Sequence, residues 1–353
     1  MNKWIEIDRK IISNNIKIIK SKIGPKKLMA VVKSNAYGHG IKEVSKIALK
    51  SGADMLGVMD VDEALKIEEY GSNVMIFYPI HHTDIPVRKN FIYTVDNLET
   101  LKRVSRNIRN KKILINLDVD SGLKRWGIEL KDVLSFVGEI KKMKNVKLFS
   151  ISTHIAYTPY KNKIEAKEKL ERFKEISLKV KKIFADIIIH AANTTVFLDF
   201  PQFYFDMVRI GNLIYGIYPK DVYSSKPNDP QKMGISMPWR FFARIISIKE
   251  VKKGESFGYA SEIVATKNMR IATLPVGYSD GLGMVPTDNV YKISEGERFW
   301  VKIGNKKAYF ITKPAISHTL IDVTEIPEAK VQSVVELSIR RTAANRDIPR
   351  IYK

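Results

Sequence analysis

The sequence predicts an α/β protein in two parts, an N-terminal (β/α)8 barrel and a C-terminal all-β domain. Up to about residue 225, short apolar segments alternate with amphipathic segments of helical period, the pattern of a parallel barrel. Beyond that point the apolar segments are short, lie between glycine-containing turns and include no long helical pattern. We therefore assign residues 9–225 to the barrel and residues 1–8 and 226–353 to the β domain.

The barrel prediction depends on eight candidate strands and on the amphipathic stretches between them. The first helix is predicted after Asp8, because Ile12, Ile16, Ile19 and Ile23 form one apolar stripe. Further helices are predicted at residues 41–49, 61–70, 98–107, 130–143 and 164–184. The candidate strands are residues 28–32, 55–59, 74–78, 91–95, 113–118, 148–154, 187–191 and 207–209.

The C-terminal part has a different composition. Residues 221–234 are rich in Ser, Pro, Asn and Lys, which predicts a linker. Short strands are predicted after it, at residues 241–248, 270–274, 300–303, 308–311 and 320–323.

The chain is strongly basic, with 60 Lys+Arg against 38 Asp+Glu and a formal net charge of +22. Nucleic acid and membrane surfaces are the usual partners of such a charge, but these lysines are dispersed and no basic run is interleaved with aromatic residues. We therefore expect neither partner. A phosphate-bearing cofactor or a carboxylate substrate would also be attracted to this field.

Composition excludes several other functions. The chain has no cysteine, which rules out disulfides, thiolate catalysis and zinc–thiolate sites, and we predict no metal centre. No apolar run approaches the roughly 18 to 20 residues that a membrane span requires, and the N-terminus lacks the apolar region of a secretory signal. We expect a cytoplasmic location.

The most informative stretch is the strand at residues 28–32, which ends on Lys33 and is followed by small and polar residues. A buried ammonium is costly and loses its proton readily, which is the condition for Schiff-base chemistry with an aldehyde cofactor. The alternative is a lysine that emerges into solvent where the strand stops. Polar residues at the carboxyl ends of other candidate strands favour a functional site, because the loops of a barrel converge on that face. They are Tyr78, Asp118, His154, Asn193 and Arg209.

Residues 30–40, with the sequence AVVKSNAYGHG, resemble the cofactor-lysine signature of bacterial alanine racemases. Members of this family are pyridoxal-phosphate enzymes with a (β/α)8 barrel and a C-terminal β domain. The resemblance implies that Lys33 carries pyridoxal 5'-phosphate and that Tyr37 binds its phosphate.

Two further segments resemble family motifs and complete the implied cofactor site. Residues 206–212 imply that Arg209 faces the pyridine nitrogen and that Gly211 and Asn212 hold the phosphate. Residues 190–194 contribute Asn193 and Thr194, where threonine replaces the usual serine but keeps the hydroxyl group. By the same resemblance, His154 links Arg209 to a catalytic tyrosine.

That tyrosine is expected to be Tyr259 in the β domain. Racemisation needs a base on each face of the substrate Cα, and the resemblance assigns these roles to Lys33 and Tyr259. In the family the tyrosine reaches the barrel of the partner subunit, which implies a homodimer with shared active sites. Arg125 matches the family arginine that contacts the cofactor and the substrate carboxylate.

Three departures from the family pattern lie near the expected substrate. Asp118 stands where many members carry a carboxylated lysine that orients the arginine, and we expect it to support Arg125. A gapless alignment places Ile316 and Ser317 where the family has a Met–Asp pair, so that only backbone binding at Ile316 is retained. Ser338 falls near the position of a tyrosine that gates the site in relatives.

The resemblance therefore implies an amino-acid racemase that acts on alanine and supplies D-alanine for peptidoglycan. One alternative is racemisation of another amino acid, such as serine or a basic one. A second is a noncatalytic pyridoxal-phosphate-binding protein, against which Tyr259 and the β domain argue. A third, a basic nucleic-acid binder, would require salt-dependent binding.

Overall fold

A computed structural model of the protein describes residues 1–82, 85–108, 111–261, 263–282, 300–339 and 341–353. These residues form two compact units, Arg9–Met237 and a second unit that combines Met1–Asp8 with Pro238–Lys353. The second unit resumes at Pro238, later than the boundary predicted at residue 226.

The first unit is built around a parallel barrel, as the sequence predicts. The chain begins with β1 (Lys3–Ile7) of the second unit and then alternates between barrel strands and helices. The strands are β2 (Lys27–Val31), β3 (Met55–Val58), β4 (Val74–Pro79), β5 (Phe91–Val95), β6 (Ile113–Asp120), β7 (Ile128–Glu129), β8 (Val146–Thr153), β9 (Ile188–His190) and β10 (Met207–Ile210). The neighbours in the barrel sheet run in the order β10-β2-β3-β4-β5-β6-β8-β9, and β7 pairs with β6.

Backbone hydrogen bonds bring the ends of this sheet together. Arg209 donates its backbone N–H to the carbonyl of Ala192 at 2.9 Å, and Asp206 donates to Ile189 at 3.1 Å. These bonds place β10 beside β9, so that the eight strands form a nearly closed barrel. The right-handed α-helices among the described residues of this unit are Arg9–Ile23, Ile41–Lys50, Val61–Leu65, Leu98–Asn107, Val133–Lys141, Lys163–Ile183, Thr194–Asp199 and Lys220–Tyr223.

The two ends of the barrel differ in polarity. Buried apolar side chains near the amino ends of the strands form one cluster, which includes Met29, Met55, Met75, Ile92 and Met207. Apolar packing therefore fills the amino end, which leaves the carboxyl ends for polar groups.

The prediction of a linker at residues 221–234 is wrong, because this segment is part of the barrel unit and packs within it. Tyr223 is fully buried and its hydroxyl donates to the Asp199 carboxylate at 2.9 Å. Asn228 donates to the same carboxylate, and Lys226 forms an ion pair with it at 3.7 Å. Composition alone indicated an exposed linker, whereas a buried carboxylate from a distant helix holds the segment in place.

The second unit is an antiparallel sheet for most of its length. Besides β1, its strands are β11 (Trp239–Arg244), β12 (Ser247–Val251), β13 (Ser256–Phe257), β14 (Ile263–Val264), β15 (Met269–Leu274), β16 (Trp300–Ile303), β17 (Lys306–Phe310), β18 (Thr319–Asp322), β19 (Val334–Leu337) and β20 (Arg350–Tyr352). The neighbours in the sheet run in the order β12-β15-β18-β17-β16-β19-β11-β1-β20, with β1 and β20 parallel, and β13 and β14 form a separate antiparallel pair.

Two strand predictions for this unit need correction. The single strand predicted at residues 241–248 is wrong, because the chain leaves β11 after Arg244 and resumes in β12 at Ser247. The strands β19 and β20 were not predicted, since each is short and takes its place in the sheet from pairing with β11 and β1. In the parts of the chain that the structure describes, no helix is long and apolar enough to cross a membrane.

Candidate active site

A cavity of about 360 Å³ opens at the carboxyl ends of the barrel strands. The structure brings ten of the predicted site residues to its wall, whereas Tyr259 and Ile316 belong to the second unit. The ten are Lys33, Tyr37, Asp118, Arg125, His154, Asn193, Thr194, Arg209, Gly211 and Asn212.

Lys33 stands directly before an unusual backbone turn. Ser34, Asn35, Ala36 and Tyr37 all have left-handed φ angles, between 53° and 54°. Such a conformation costs roughly 1–2 kcal/mol per residue for L-amino acids, so it requires local support.

Side chains from the flanking segments supply this support. The Asn35 side-chain oxygen accepts the N–H of Ile41 at 2.9 Å. The buried Glu63 carboxylate accepts the N–H of Asn35 through one oxygen and that of Met59 through the other, both at 3.1 Å. These bonds fix the backbone that carries Lys33.

The Lys33 amine lies in an environment that favours its neutral form. Burial lowers its pKa, and the nearby Arg125 and Arg209 guanidiniums lower it further, while Glu63 opposes them. A larger fraction of this amine is therefore unprotonated near neutral pH than in an ordinary lysine, which makes it a better nucleophile and base.

One side of the cavity forms a cradle of backbone and hydroxyl groups. A Cβ atom at Gly211 would lie 2.3 Å from the Tyr37 hydroxyl oxygen, so a glycine is required for this close approach. Burial raises the pKa of Tyr37 to about 12, which keeps its hydroxyl protonated. Thr194 accepts the N–H of Leu213 at 3.4 Å, and Asn193 caps the helix that begins at Thr194. Neutral hydroxyls beside the start of this helix suit an anionic group such as phosphate.

Arg209 and His154 form a second cluster. The buried Arg209 guanidinium donates to the carbonyl of Thr153 and to His154 Nδ1, the latter at 3.1 Å. Because a guanidinium only donates, Nδ1 must accept, and the neutral His154 carries its proton on Nε2. Burial, followed by the charges of Arg209, Arg125 and Lys33, lowers the pKa of His154 well below its ordinary value. Burial also lowers the pKa of Arg209, to about 10, so this arginine remains charged at neutral pH.

Asp118 is the buried anion of the cavity. Its carboxylate accepts a hydrogen bond from the Ser152 hydroxyl at 2.5 Å, and Ser152 in turn accepts from the Asn116 amide at 2.9 Å. Ser150 donates to the Asn116 oxygen at 2.7 Å, which completes a hydrogen-bonded chain inside the barrel. Burial raises the pKa of Asp118, although Arg209, Ser152, Arg125 and Trp126 counteract it.

Arg125 lies on a tightly folded loop beyond β6. The Asp120 carboxylate accepts the N–H groups of Gly122 and Lys124, at 2.8 and 3.1 Å. The Arg125 guanidinium carbon lies 3.7 Å from the centre of the Trp126 ring. Both residues are described, and Arg125 and Asp118 form no ion pair within 4.0 Å, although each shifts the pKa of the other.

In the second unit, Tyr259 and Ile316 are both accessible. Tyr259 is 68% exposed, and its ring lies 5.9 Å from that of His318 beside a separate cavity of about 320 Å³. The carbonyl of Ile316 accepts from the Ser279 backbone at 3.0 Å and from its hydroxyl at 2.7 Å. Ser317 and Ser338 are also exposed.

Several residues that support the predicted site residues were missed by the sequence reasoning, namely Asn116, Ser150, Ser152 and Glu63. Asn116 and Asp118 alternate on β6, and Ser150 and Ser152 alternate on β8, so that their side chains share the inner face. Alternating polar residues in otherwise buried strands were the available signal. Glu63 gave no such signal, because it acts through backbone groups that only the folded chain brings near.

A nearly closed barrel with a lysine-centred polar cavity, followed by an all-β unit, defines a two-domain barrel enzyme. Family models extend this to both units: that of the alanine racemase N-terminal domain matches residues 7–219, and that of its C-terminal domain matches residues 239–349. The chain belongs to the alanine racemase family, and the resemblance inferred from its sequence is confirmed.

Individual relatives agree. The chain is 31% identical over 337 residues to alanine racemase 2 of Caldanaerobacter subterraneus subsp. tengcongensis, covering 93% of this chain and 83% of the relative. It is 30% identical over 344 residues to the alanine racemase of Halothermothrix orenii, covering 95% of this chain and 86% of the relative.

Solved structures share the fold over the whole chain. Alanine racemase of Bacillus anthracis with bound L-Ala-P matches with a TM-score of 0.86 and 26% identity, covering 100% of this chain and 95% of that chain. Alanine racemase of Clostridium difficile 630 matches with a TM-score of 0.89 at 22% identity, covering 100% of this chain and 96% of that chain. These similarities agree with the predicted barrel plus β domain.

Proposed function

We propose that this protein is a pyridoxal-phosphate-dependent racemase that interconverts L- and D-alanine. The observation that carries the proposal is the Lys33 amine, whose pKa is lowered by burial and by two arginines, beside a cradle suited to phosphate. Membership of the alanine racemase family and the names of the relatives supply the reaction and the substrate.

The cavity residues fit pyridoxal 5'-phosphate. Lys33 would bind its aldehyde carbon, and Arg209 would face its ring nitrogen. The hydroxyls of Tyr37 and Thr194, with Asn193 and the backbone at Gly211 and Asn212, would hold its phosphate. When bound, this cofactor withdraws electrons from an attached amino acid and so acidifies its Cα proton.

The protein's own side chains would then move the proton. Lys33 Nζ serves one face of Cα, and its lowered pKa lets it act as a base near neutral pH. Tyr259 from a second copy of the chain serves the opposite face, so the active unit is a homodimer with shared sites. Arg209 donates to His154 Nδ1 and remains positively charged, which would disfavour protonation of the pyridine nitrogen of the cofactor.

The substrate is a small amino acid held by its carboxylate. Arg125 offers guanidinium N–H groups at the cavity wall, and Asp118 is its buried anionic neighbour. The backbone of Ile316, from the second copy, would add a further contact. We further propose that the enzyme works in the cytoplasm, where free L-alanine is available, and that its D-alanine supplies peptidoglycan.

Substrate profiling tests the proposal. Purified protein loaded with pyridoxal phosphate is incubated separately with L-alanine, L-serine, L-lysine and L-arginine, and the enantiomers are separated by chiral chromatography. We expect alanine to be racemised fastest. Faster turnover of serine or of a basic amino acid would replace alanine as the substrate, and no turnover of any would favour a noncatalytic binding protein.

A further inference from the structure

Trp126 contacts the groups that surround the Arg125 side chain. The guanidinium carbon of Arg125 lies 3.7 Å from the centre of the Trp126 ring. On another side, the indole makes an edge contact with Tyr78, with ring centroids 5.9 Å apart and an interplanar angle of 78°. The Trp126 side chain also interacts with the Asp118 carboxyl and lowers its pKa against the effect of burial. The indole thus joins the buried anion to the cation of the cavity wall.

The hydrogen bonds that fix the Arg125 loop act on its backbone and leave the side chain to be oriented by other contacts. Asp120 fixes the loop through the N–H groups of Gly122 and Lys124. Among the described residues, no carboxylate lies within ion-pair distance of the Arg125 guanidinium. A guanidinium keeps its charge and stacks well on an indole face, so cation–π stacking can orient it without a counterion.

We propose that Trp126 is a positioning residue that holds the Arg125 guanidinium in the orientation that binds the substrate carboxylate. The proposal rests on the proposed function, because it takes an amino acid as the substrate. Stacking occupies one flat face of the guanidinium and leaves its N–H edge available for a two-pronged contact with a carboxylate. Trp126 therefore sets the orientation in which the Arg125 guanidinium meets the substrate carboxylate.

Steady-state kinetics of the loaded enzyme provide the first test. Trp126→Leu removes the stacking face, and we expect KM for alanine to rise about three- to tenfold, with kcat changed less than about twofold. Trp126→Phe keeps an aromatic face and should restore most of the affinity. Trp300→Leu is the matched control, since Trp300 stacks with Lys307 at 4.3 Å in the second unit and lies outside the cavity. Its kinetic constants should stay at wild-type values.

A binding measurement without the cofactor provides the second test. Trp126 is the one tryptophan of Arg9–Met237, because the other three of the four are Trp4, Trp239 and Trp300. The fluorescence of Trp126 is therefore obtained by subtracting the emission of Trp126→Phe from that of wild type. Titration with propionate, a simple carboxylate, should change this signal, and Arg125→Ala should abolish the change.

The proposal is overturned if the KM of Trp126→Leu for alanine equals that of wild type. It is also overturned if Trp126→Leu and Trp300→Leu raise KM equally, or if Arg125→Ala leaves the propionate response intact. Should Trp126→Leu fail to fold, Trp126→Phe and the fluorescence titration decide. Absence of racemisation in wild type would refute the proposed function, while the propionate titration would still test the pairing of Trp126 with Arg125.

Discussion

Lys33 illustrates how the surroundings of one side chain set its chemistry. The strand pattern left two possibilities, an amine in a site or a lysine in solvent, and the structure places the amine in a polar cavity with two guanidiniums near it. Both burial and these charges disfavour the ammonium form.

We therefore expect Lys33 of the cofactor-free protein to titrate below the ordinary lysine value of about 10.4. The rate of its acetylation by acetic anhydride, followed by mass spectrometry as a function of pH, gives its apparent pKa. Since the pKa is lowered, Lys33 should become reactive at lower pH than the mean of all other labelled lysines. A midpoint at or above the ordinary value would show that the cavity does not favour the neutral amine.

Asp118 supplies a charge for which no modification is needed. We expect Asp118→Ala to raise KM for alanine about fivefold, equivalent to ~1 kcal/mol, because Arg125 and Arg209 lose their anionic neighbour. Wild-type activity should not respond to added bicarbonate. Unchanged affinity in Asp118→Ala would refute the support of Arg125, and a bicarbonate response would indicate a carboxylated lysine elsewhere in the site.

Sequence patterns predicted the residues at the strand ends but not the residues that support them. Lys33 stands out because a charge follows a buried strand, and Asp118 and Arg209 stand out because each is a charge at the carboxyl end of a predicted strand. Trp126 and Glu63 act on a neighbouring guanidinium and on backbone N–H groups, and such contacts depend on loop geometry that no periodicity reports.

At the scale of elements, the left-handed turn after Lys33 is the least expected feature. Four consecutive left-handed residues, none of them glycine, persist because Glu63 and Asn35 over-determine their backbone. The sequence contains the residues of the turn, but the bond to Glu63 links positions that only the fold brings together.

We expect Glu63→Gln to destabilise the protein by about 1–3 kcal/mol, because the amide group replaces one of two acceptors with a donor. The effect is measured by the midpoint temperature of thermal unfolding and by the fraction of pyridoxal phosphate retained during dialysis. Both should be lower in Glu63→Gln than in wild type. Asp62→Asn, an exposed neighbour that undergoes the same change from acid to amide, should leave both near wild type. Equal behaviour of the two variants would mean that Glu63 does not hold the turn.

Element predictions succeeded where burial on both faces produced apolar segments. The strand Phe91–Val95 and the helix Leu98–Asn107 match the predicted bounds. The predicted linker failed because a hydrophilic composition does not report the buried Asp199 that Tyr223 and Asn228 reach. The strands β19 and β20 were missed because pairing, rather than their own sequence, defines them.

At the scale of the whole molecule, the proposal requires two copies of the chain. A mixture of inactive Lys33→Ala and Tyr259→Phe chains, allowed to exchange subunits, should regain part of the activity, because one hybrid site holds both native bases. The control is each variant taken alone through the same subunit-exchange step. Failure to regain activity, with exchange shown by mass spectrometry of differently labelled subunits, would argue against shared sites.

The central claim is that the cavity around Lys33 racemises alanine. The most direct measurement incubates L-alanine in D₂O with protein whose cofactor has been shown, by borohydride reduction and peptide mapping of a sample, to be on Lys33. The account predicts equal amounts of the two enantiomers at equilibrium, with deuterium at Cα of the D-alanine, and no conversion by Lys33→Ala. L-Alanine that stays optically pure and free of deuterium in the loaded wild-type protein would contradict it.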